Sequence, residues 1–267
     1  MNFEEKSNYS FDDLVKIMEI LRSENGCPWD KEQTHKSIRQ NFIEETYEVI
    51  EAIDTDNQEL MCEELGDVLM QVVFHSRISQ EAGSFDVNDV CDGVCKKLII
   101  RHPHVFGDVS ADTTDKVLQN WDAIKMATKS QKTQADVLDS VSKSLPALMR
   151  SQKISHKASK VGFNYNSVDG AFDKIQEEMT ELKQAIDNND VQNQHEELGD
   201  LLFAVAKVAD FLNIDSEKAL YDACEKFCGR FRKVEEYANN DNIDMRTADI
   251  SKLIELWKKA KETTLKQ

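Results

Sequence analysis

The sequence predicts an all-α protein built as a tandem repeat of two helical domains, residues 1–130 and 131–267. Three observations carry that expectation. The 267 residues include nine Gly and three Pro against 31% charged residues, a composition suited to long uninterrupted helices. Apolar residues recur at helical spacing, and no strand pattern of useful length is present. One acidic constellation also occurs twice at a constant offset of 133 residues (45 to 178, 67 to 200). An internal repeat of this size divides the chain into two related units.

The elements follow in order. Residues 11–22 place Leu14, Ile17, Met18 and Leu21 on one helical stripe, ended by Gly26-Cys27-Pro28-Trp29. A second helix carries Phe42, Thr46, Val49, Ile50 and Ile53 along one side. After residues 54–57 a third carries Leu65, Val68, Leu69, Val72 and Val73, which is expected to be a buried face. In the second half Val161–Asn166 takes the place of the Gly-Cys-Pro-Trp break, and Leu198, Leu201, Leu202, Val205 and Ala206 repeat the stripe. Residues 128–136 are polar and lack a period, which marks them as the linker. Residues 239–246 read as a loop before the last helix.

Glu45 and Glu48, and Glu64 and Asp67, are i,i+3 pairs on the flanks of neighbouring stripes. If the two helices pack antiparallel, the four carboxylates converge. Four anions together repel unless a cation neutralises them or some take up protons. Oxygen donors without histidine suit Mg²⁺ or Mn²⁺. Glu178, Glu181, Glu197 and Asp200 repeat the arrangement. A solvated acidic helix face explains one such motif, but not two with identical internal spacing. Gly66 and Gly199 interrupt both sites, and a helix-interior Gly suggests close approach by another helix or a ligand. Downstream stand Lys97/Arg101 and Lys226/Arg230, then Trp121/Lys125 and Trp257/Lys261. Basic groups beside a metal-holding acid cluster are what a polyphosphate requires. Helix salt bridging accounts equally for either basic pair alone, and a tryptophan is more often a core anchor than a stacking platform.

The net charge of −17 argues against a nucleic-acid surface, which needs basic patches. No segment reaches the apolar length of a membrane span, and the acidic N-terminus does not read as a signal peptide, so a cytoplasmic protein is expected. In that setting the six cysteines, including the i,i+4 pairs Cys91/Cys95 and Cys224/Cys228, are expected to be small buried thiols rather than disulfides or zinc ligands.

At these residues, and in GCPWDKEQTH (26–35), RHPHVFGD (101–108), SLPALMRSQK (144–153) and KVGFNYN (160–166), the chain resembles the MazG nucleoside triphosphate pyrophosphohydrolases over essentially its whole length. The resemblance implies the all-α NTP pyrophosphatase fold and a homodimer whose subunits complete each other's helix bundles. It implies Mg²⁺-dependent hydrolysis of NTPs and dNTPs to monophosphate and pyrophosphate, with broad base tolerance. Carried over residue by residue, it places metal ligands at Glu178, Glu181, Glu197 and Asp200, with Glu177 beside them. It places nucleotide contacts at Lys226, Arg230, Trp257 and Lys261, and it makes the second half the main catalytic candidate. Glu177, Glu178 or Glu181 is the expected general base. The first half keeps Glu45, Glu48, Glu64 and Asp67 with Lys97, Arg101, Trp121 and Lys125, although Pro103 is positioned to redirect Arg101. Two rivals stay open: a narrower pyrophosphatase of dUTPase or phosphoribosyl-ATP type, and a helical interaction protein without catalysis.

Overall fold

The computed structural model describes residues 3–114, 116–117, 120–121, 124, 126 and 133–264. The chain divides into two compact units, Met1–Lys125 and Met126–Gln267. The expected boundary at 130/131 lies outside the described residues, as do Lys125 and most of the polar linker. All regular structure among the described residues is helical, and no described helix is long and apolar enough to cross a membrane.

In the first unit, α1 (Phe11–Leu21) starts at a capping box. The Ser10 hydroxyl accepts from the Asp13 N–H while the Asp13 carboxylate accepts from the Ser10 N–H. The chain then turns tightly at Gly26, where an added Cβ would stand 2.2 Å from the Leu21 carbonyl oxygen, so no other residue fits. Pro28 opens α2 (Pro28–Glu32) at the first helical position, which needs no N–H donor. α3 (Arg39–Asp54) and α4 (Gln58–Glu81) form an antiparallel hairpin, followed by α5 (Val87–Arg101) and the one-turn α6 (Pro103–Phe106). The core gathers Met18, Ile38, Val73, Phe74 and Val87, with Leu14, Val15, Met70 and Ile78 against it. Arg22 pins the Gly26–Gln33 loop to α4. Its guanidinium lies 5.3 Å from the Phe74 ring centroid, pairs with Glu81 at 2.8 Å, and donates to the carbonyls of Asp30 and Gln33.

The second unit runs α7 (Gln134–Asp139), α8 (Ala147–Ser159), α9 (Val168–Asp187), α10 (Val191–Phe211), α11 (Ser216–Asn240) and α12 (Ile250–Thr264). Thr133 caps α7 through a capping box with Asp136, so the last residues of the predicted linker are helical. α9 and α10 repeat the hairpin. Ala171, Ala185, Ala204 and Ala206 are buried, and their small side chains let the helices approach. α11 and α12 pack through Val234, Ala238, Leu256 and Ala260. Gln152 of α8 holds the start of α11, donating to the Ile214 carbonyl at 2.7 Å and accepting from the Ser216 N–H at 3.0 Å.

Three expectations need correction. On α4, Val73 is buried, but Leu65 and Leu69 are 50% and 41% exposed. On α10, Leu198, Leu202 and Val205 are exposed in the same way. Each hairpin buries its inner surface and leaves much of its outer apolar stripe exposed. The cysteines are free, as expected, but five of the six are exposed and only Cys27 is partly covered. Apolar character did not predict burial because these helices are only partly covered within one chain. Finally, an added Cβ at Gly66 or Gly199 meets nothing within 4 Å, so among the described residues no other helix of the chain approaches either glycine, and of the two expected causes only a ligand is left open.

Candidate active site

Each acid cluster is set by the turn of its hairpin. Asp56 and Asn189 both adopt the left-handed conformation (φ 55° and 52°), which Asp and Asn tolerate best after Gly. The next residue in each case, Asn57 or Asp190, caps the following helix with its side chain. Its N–H also closes the turn onto the Ala52 or Ala185 carbonyl at 3.0 Å. Glu48 and Glu64 stand eight residues either side of Asp56, and Glu45 and Asp67 stand eleven. Glu181/Glu197 and Glu178/Asp200 are disposed in the same way about Asn189. Antiparallel packing therefore brings each pair level across the hairpin. Ligand-capable oxygens of Glu45, Glu48 and Glu64 all lie within 4.8 Å of one another, as do those of Glu178, Glu197 and Asp200.

The charge state follows from this crowding. Burial pushes the Glu64 carboxyl above its ordinary 4.5, and the Glu48 charge adds to the rise. Glu45 rises for the same first reason, then through the charges of Asp67 and Glu48. In the second half burial raises Glu181, helped by its hydrogen bond to Glu178, and burial raises Glu197, helped by Glu181 and Glu178. Each close cluster holds three of the four acids that the repeat picks out, Asp67 and Glu181 standing outside it but coupled to it by charge, and Glu178 and Glu64 are the buried members. An all-oxygen donor set whose carboxylates repel one another fits a hard divalent cation. The halves differ in one group that sequence reasoning missed. The Lys174 ammonium sits 2.6 Å from Glu178 and 2.8 Å from Glu177. At the same register the first half has Asn41. The signal was present in the sequence as a lysine one helical turn before Glu178.

The basic residues lie on other helices. Lys226 is exposed on α11, and Arg230 is half-buried there with its Nε enclosed and unpartnered. Trp257 of α12 packs beside the α11–α12 core, its ring centroid 4.9 Å from that of Phe227, and Lys261 is exposed one turn on. Among the described residues no ion pair joins Lys226, Arg230 or Lys261 to the carboxylates. In the first half Lys97 is exposed, and the Arg101 guanidinium lies over the Trp121 ring at 4.8 Å. The helix stops at Arg101. His102 forms the corner, its Nδ1 2.6 Å from the Leu98 carbonyl, and Pro103 starts α6. His102 and His104 thus form a turn, and Arg101 is stacked on an aromatic ring.

The regular structure of the described residues is helical throughout, and each of the two hairpins gathers carboxylates that could hold a metal ion, which is the class of protein the fold and site define. Residues 33–106 and 168–235 match the MazG nucleotide pyrophosphohydrolase domain. The chain is 45% identical over 251 residues to the nucleoside triphosphate pyrophosphohydrolase/pyrophosphatase MazG of Thermotoga maritima, covering 94% of this chain and 95% of that protein. It is 44% identical over 255 residues to the nucleoside triphosphate pyrophosphohydrolase of Escherichia coli K12, covering 94% and 96%. It is also 42% identical over 264 residues to the uncharacterized protein YabN of Bacillus subtilis, of which it spans 53%. The chain belongs to the MazG family.

Proposed function

We propose that this protein is a nucleoside triphosphate pyrophosphohydrolase that releases nucleoside monophosphate and pyrophosphate from NTPs and dNTPs with little base discrimination. The observation that carries the reading is the pair of carboxylate clusters at one register in a chain of this family. Glu178, Glu181, Glu197 and Asp200 would hold Mg²⁺ in the second half, and Glu45, Glu48, Glu64 and Asp67 would hold it in the first. When bound, the ion supplies positive charge against the triphosphate and acidifies water. The residues of the chain do the rest. Glu177, Glu178 or Glu181 would accept the proton of the attacking water, Glu177 being the exposed one of the three and paired with Lys174. Lys226, Arg230 and Lys261 would neutralise phosphate charge as it builds, and Trp257 would bound the nucleoside side. The enclosed, unpartnered Nε of Arg230 supports that role, whereas the stacking of Arg101 on Trp121 favours the second half as the main catalytic unit.

The reading includes a homodimer of chains whose repeats are residues 1–130 and 131–267. The exposed Met179, Ile186, Leu198 and Leu202 give a second copy an apolar surface to cover. Product analysis with each of the eight common NTPs and dNTPs, with Mg²⁺ or with chelator, tests the activity. The expected result is metal-dependent monophosphate plus pyrophosphate, lost in Glu178→Gln and largely kept in Glu45→Gln. Release of diphosphate and phosphate, or no turnover of any nucleotide, overturns it.

A further inference from the structure

The Lys174 pair with Glu178 is unlike the other lysine–carboxylate pairs on these helices. Lys16–Glu19, Lys218–Asp222, Lys233–Glu236 and Lys252–Glu255 join side chains that are all at least a third exposed. Such pairs contribute little. Lys174 instead reaches a carboxylate whose side chain is 5% exposed and which shares a 4.8 Å cluster with Glu197 and Asp200. An ammonium there does what a metal ion would do: it offsets the mutual repulsion of buried anions. The first half has the same hairpin and the same acids but Asn41 at this register, and among the described residues no lysine or arginine pairs with Glu45, Glu48 or Glu64.

Resting on the metal reading given above, we infer that Lys174 is the resident counter-cation of the second site, displaced from Glu178 when a divalent ion enters. A divalent ion and an ammonium held against one buried carboxylate repel each other. Entry of the ion therefore drives Lys174 off Glu178, and the exposed Glu177, already 2.8 Å away, keeps a place for it. Two properties follow. The metal-free second site is relieved of repulsion for which, among the described residues, the first site has no matching ammonium. The second site also takes the bare ion less tightly than its carboxylates would allow, which reserves strong binding for an ion arriving with a triphosphate.

The test is calorimetric titration of Mn²⁺ without nucleotide, with one half silenced at a time. In a Glu45→Gln/Glu64→Gln background, Lys174→Gln is expected to tighten Mn²⁺ binding about tenfold, while Lys174→Arg keeps the original affinity. In a Glu178→Gln/Glu197→Gln background, Asn41→Lys is expected to weaken binding at the first site by a similar factor. Thermal melts in chelator supply a readout other than metal affinity: Lys174→Gln should melt lower than the parent, and Mn²⁺ should restore the difference. A lower melting point with unchanged Mn²⁺ affinity would make Lys174 an ordinary structural pair and overturn the inference while leaving the metal site standing. Absence of Mn²⁺ uptake in either background would overturn the metal reading and this inference with it.

Discussion

At the scale of single residues, the acids of the clusters titrate against the fold. Glu64 is 8% exposed and faces Glu48 and Asp67, so its carboxyl is raised above 4.5, with burial the largest cause. A carboxyl raised in the folded state favours folding below its unfolded value, and that contribution is lost as pH rises through the folded one. At neutral pH and without metal, Glu64 is therefore a liability. Glu64→Gln in chelator is expected to raise the melting temperature by a few degrees at pH 7, with the gain fading as pH falls towards 4.5. A gain that persists at low pH would show that charge is not its source. Glu81 titrates in the opposite sense: although burial raises its carboxyl, the bonds from Arg22 and Arg77 outweigh that effect and hold it below the ordinary value. Its stabilisation is present above that value and is lost as pH falls.

At the scale of elements, the two glycines of the first unit that sequence reasoning singled out have opposite requirements. At Gly26 a methyl would collide with the carbonyls of Ile20 and Leu21, and only backbone could give way. Gly66 is mid-helix with open space around its would-be Cβ. Gly26→Ala is expected to lower the melting temperature by several degrees. Gly66→Ala should stabilise the isolated fold by up to about 1 kcal/mol through helix propensity. Equilibrium denaturation of both variants checks the pair, and destabilisation by Gly66→Ala would mean that something outside the chain packs there. The helices themselves were legible because their apolar period is strong, and so were the breaks at Gly26 and Gly162. Gly162 adopts φ +82°, open to glycine and strained for other residues. Burial was not legible. Leu65 and Leu198 have the period of core residues, yet they face outward, because periodicity identifies an apolar face without identifying what covers it. The convergence of the acids could be read from their spacing. The counter-charge on Glu178 was overlooked because a lysine one turn before an acid is the commonest pattern on any helix.

For the whole molecule, the exposed stripes on α4 and α10 are the dominant feature. Leu65, Leu69, Leu198, Leu202 and Phe203 are each at least 39% exposed. An exposed apolar stripe on each hairpin is surface that a second copy could cover. Self-association is thus expected to contribute to stability, and the melting temperature should rise with protein concentration. Leu198→Glu/Leu202→Glu is expected to shift the protein to monomer in analytical ultracentrifugation and to remove that dependence. A wild-type protein that sediments as a monomer at all concentrations would refute the homodimer.

The symmetric placement of the acids about Asp56 and Asn189 has a consequence for how such a protein can change. A helix turns about 100° per residue. One residue inserted between the turn and Glu64 would swing Glu64 and Asp67 together to another side of α4, leaving Glu45 and Glu48 with no opposing pair. A change on the far side of either helix alters only its length. The distance in residues from the bend therefore works as a vernier. The surface, the linker and the termini of each repeat can drift, while the count on either side of one left-handed residue cannot change by a single step without dismantling the cluster.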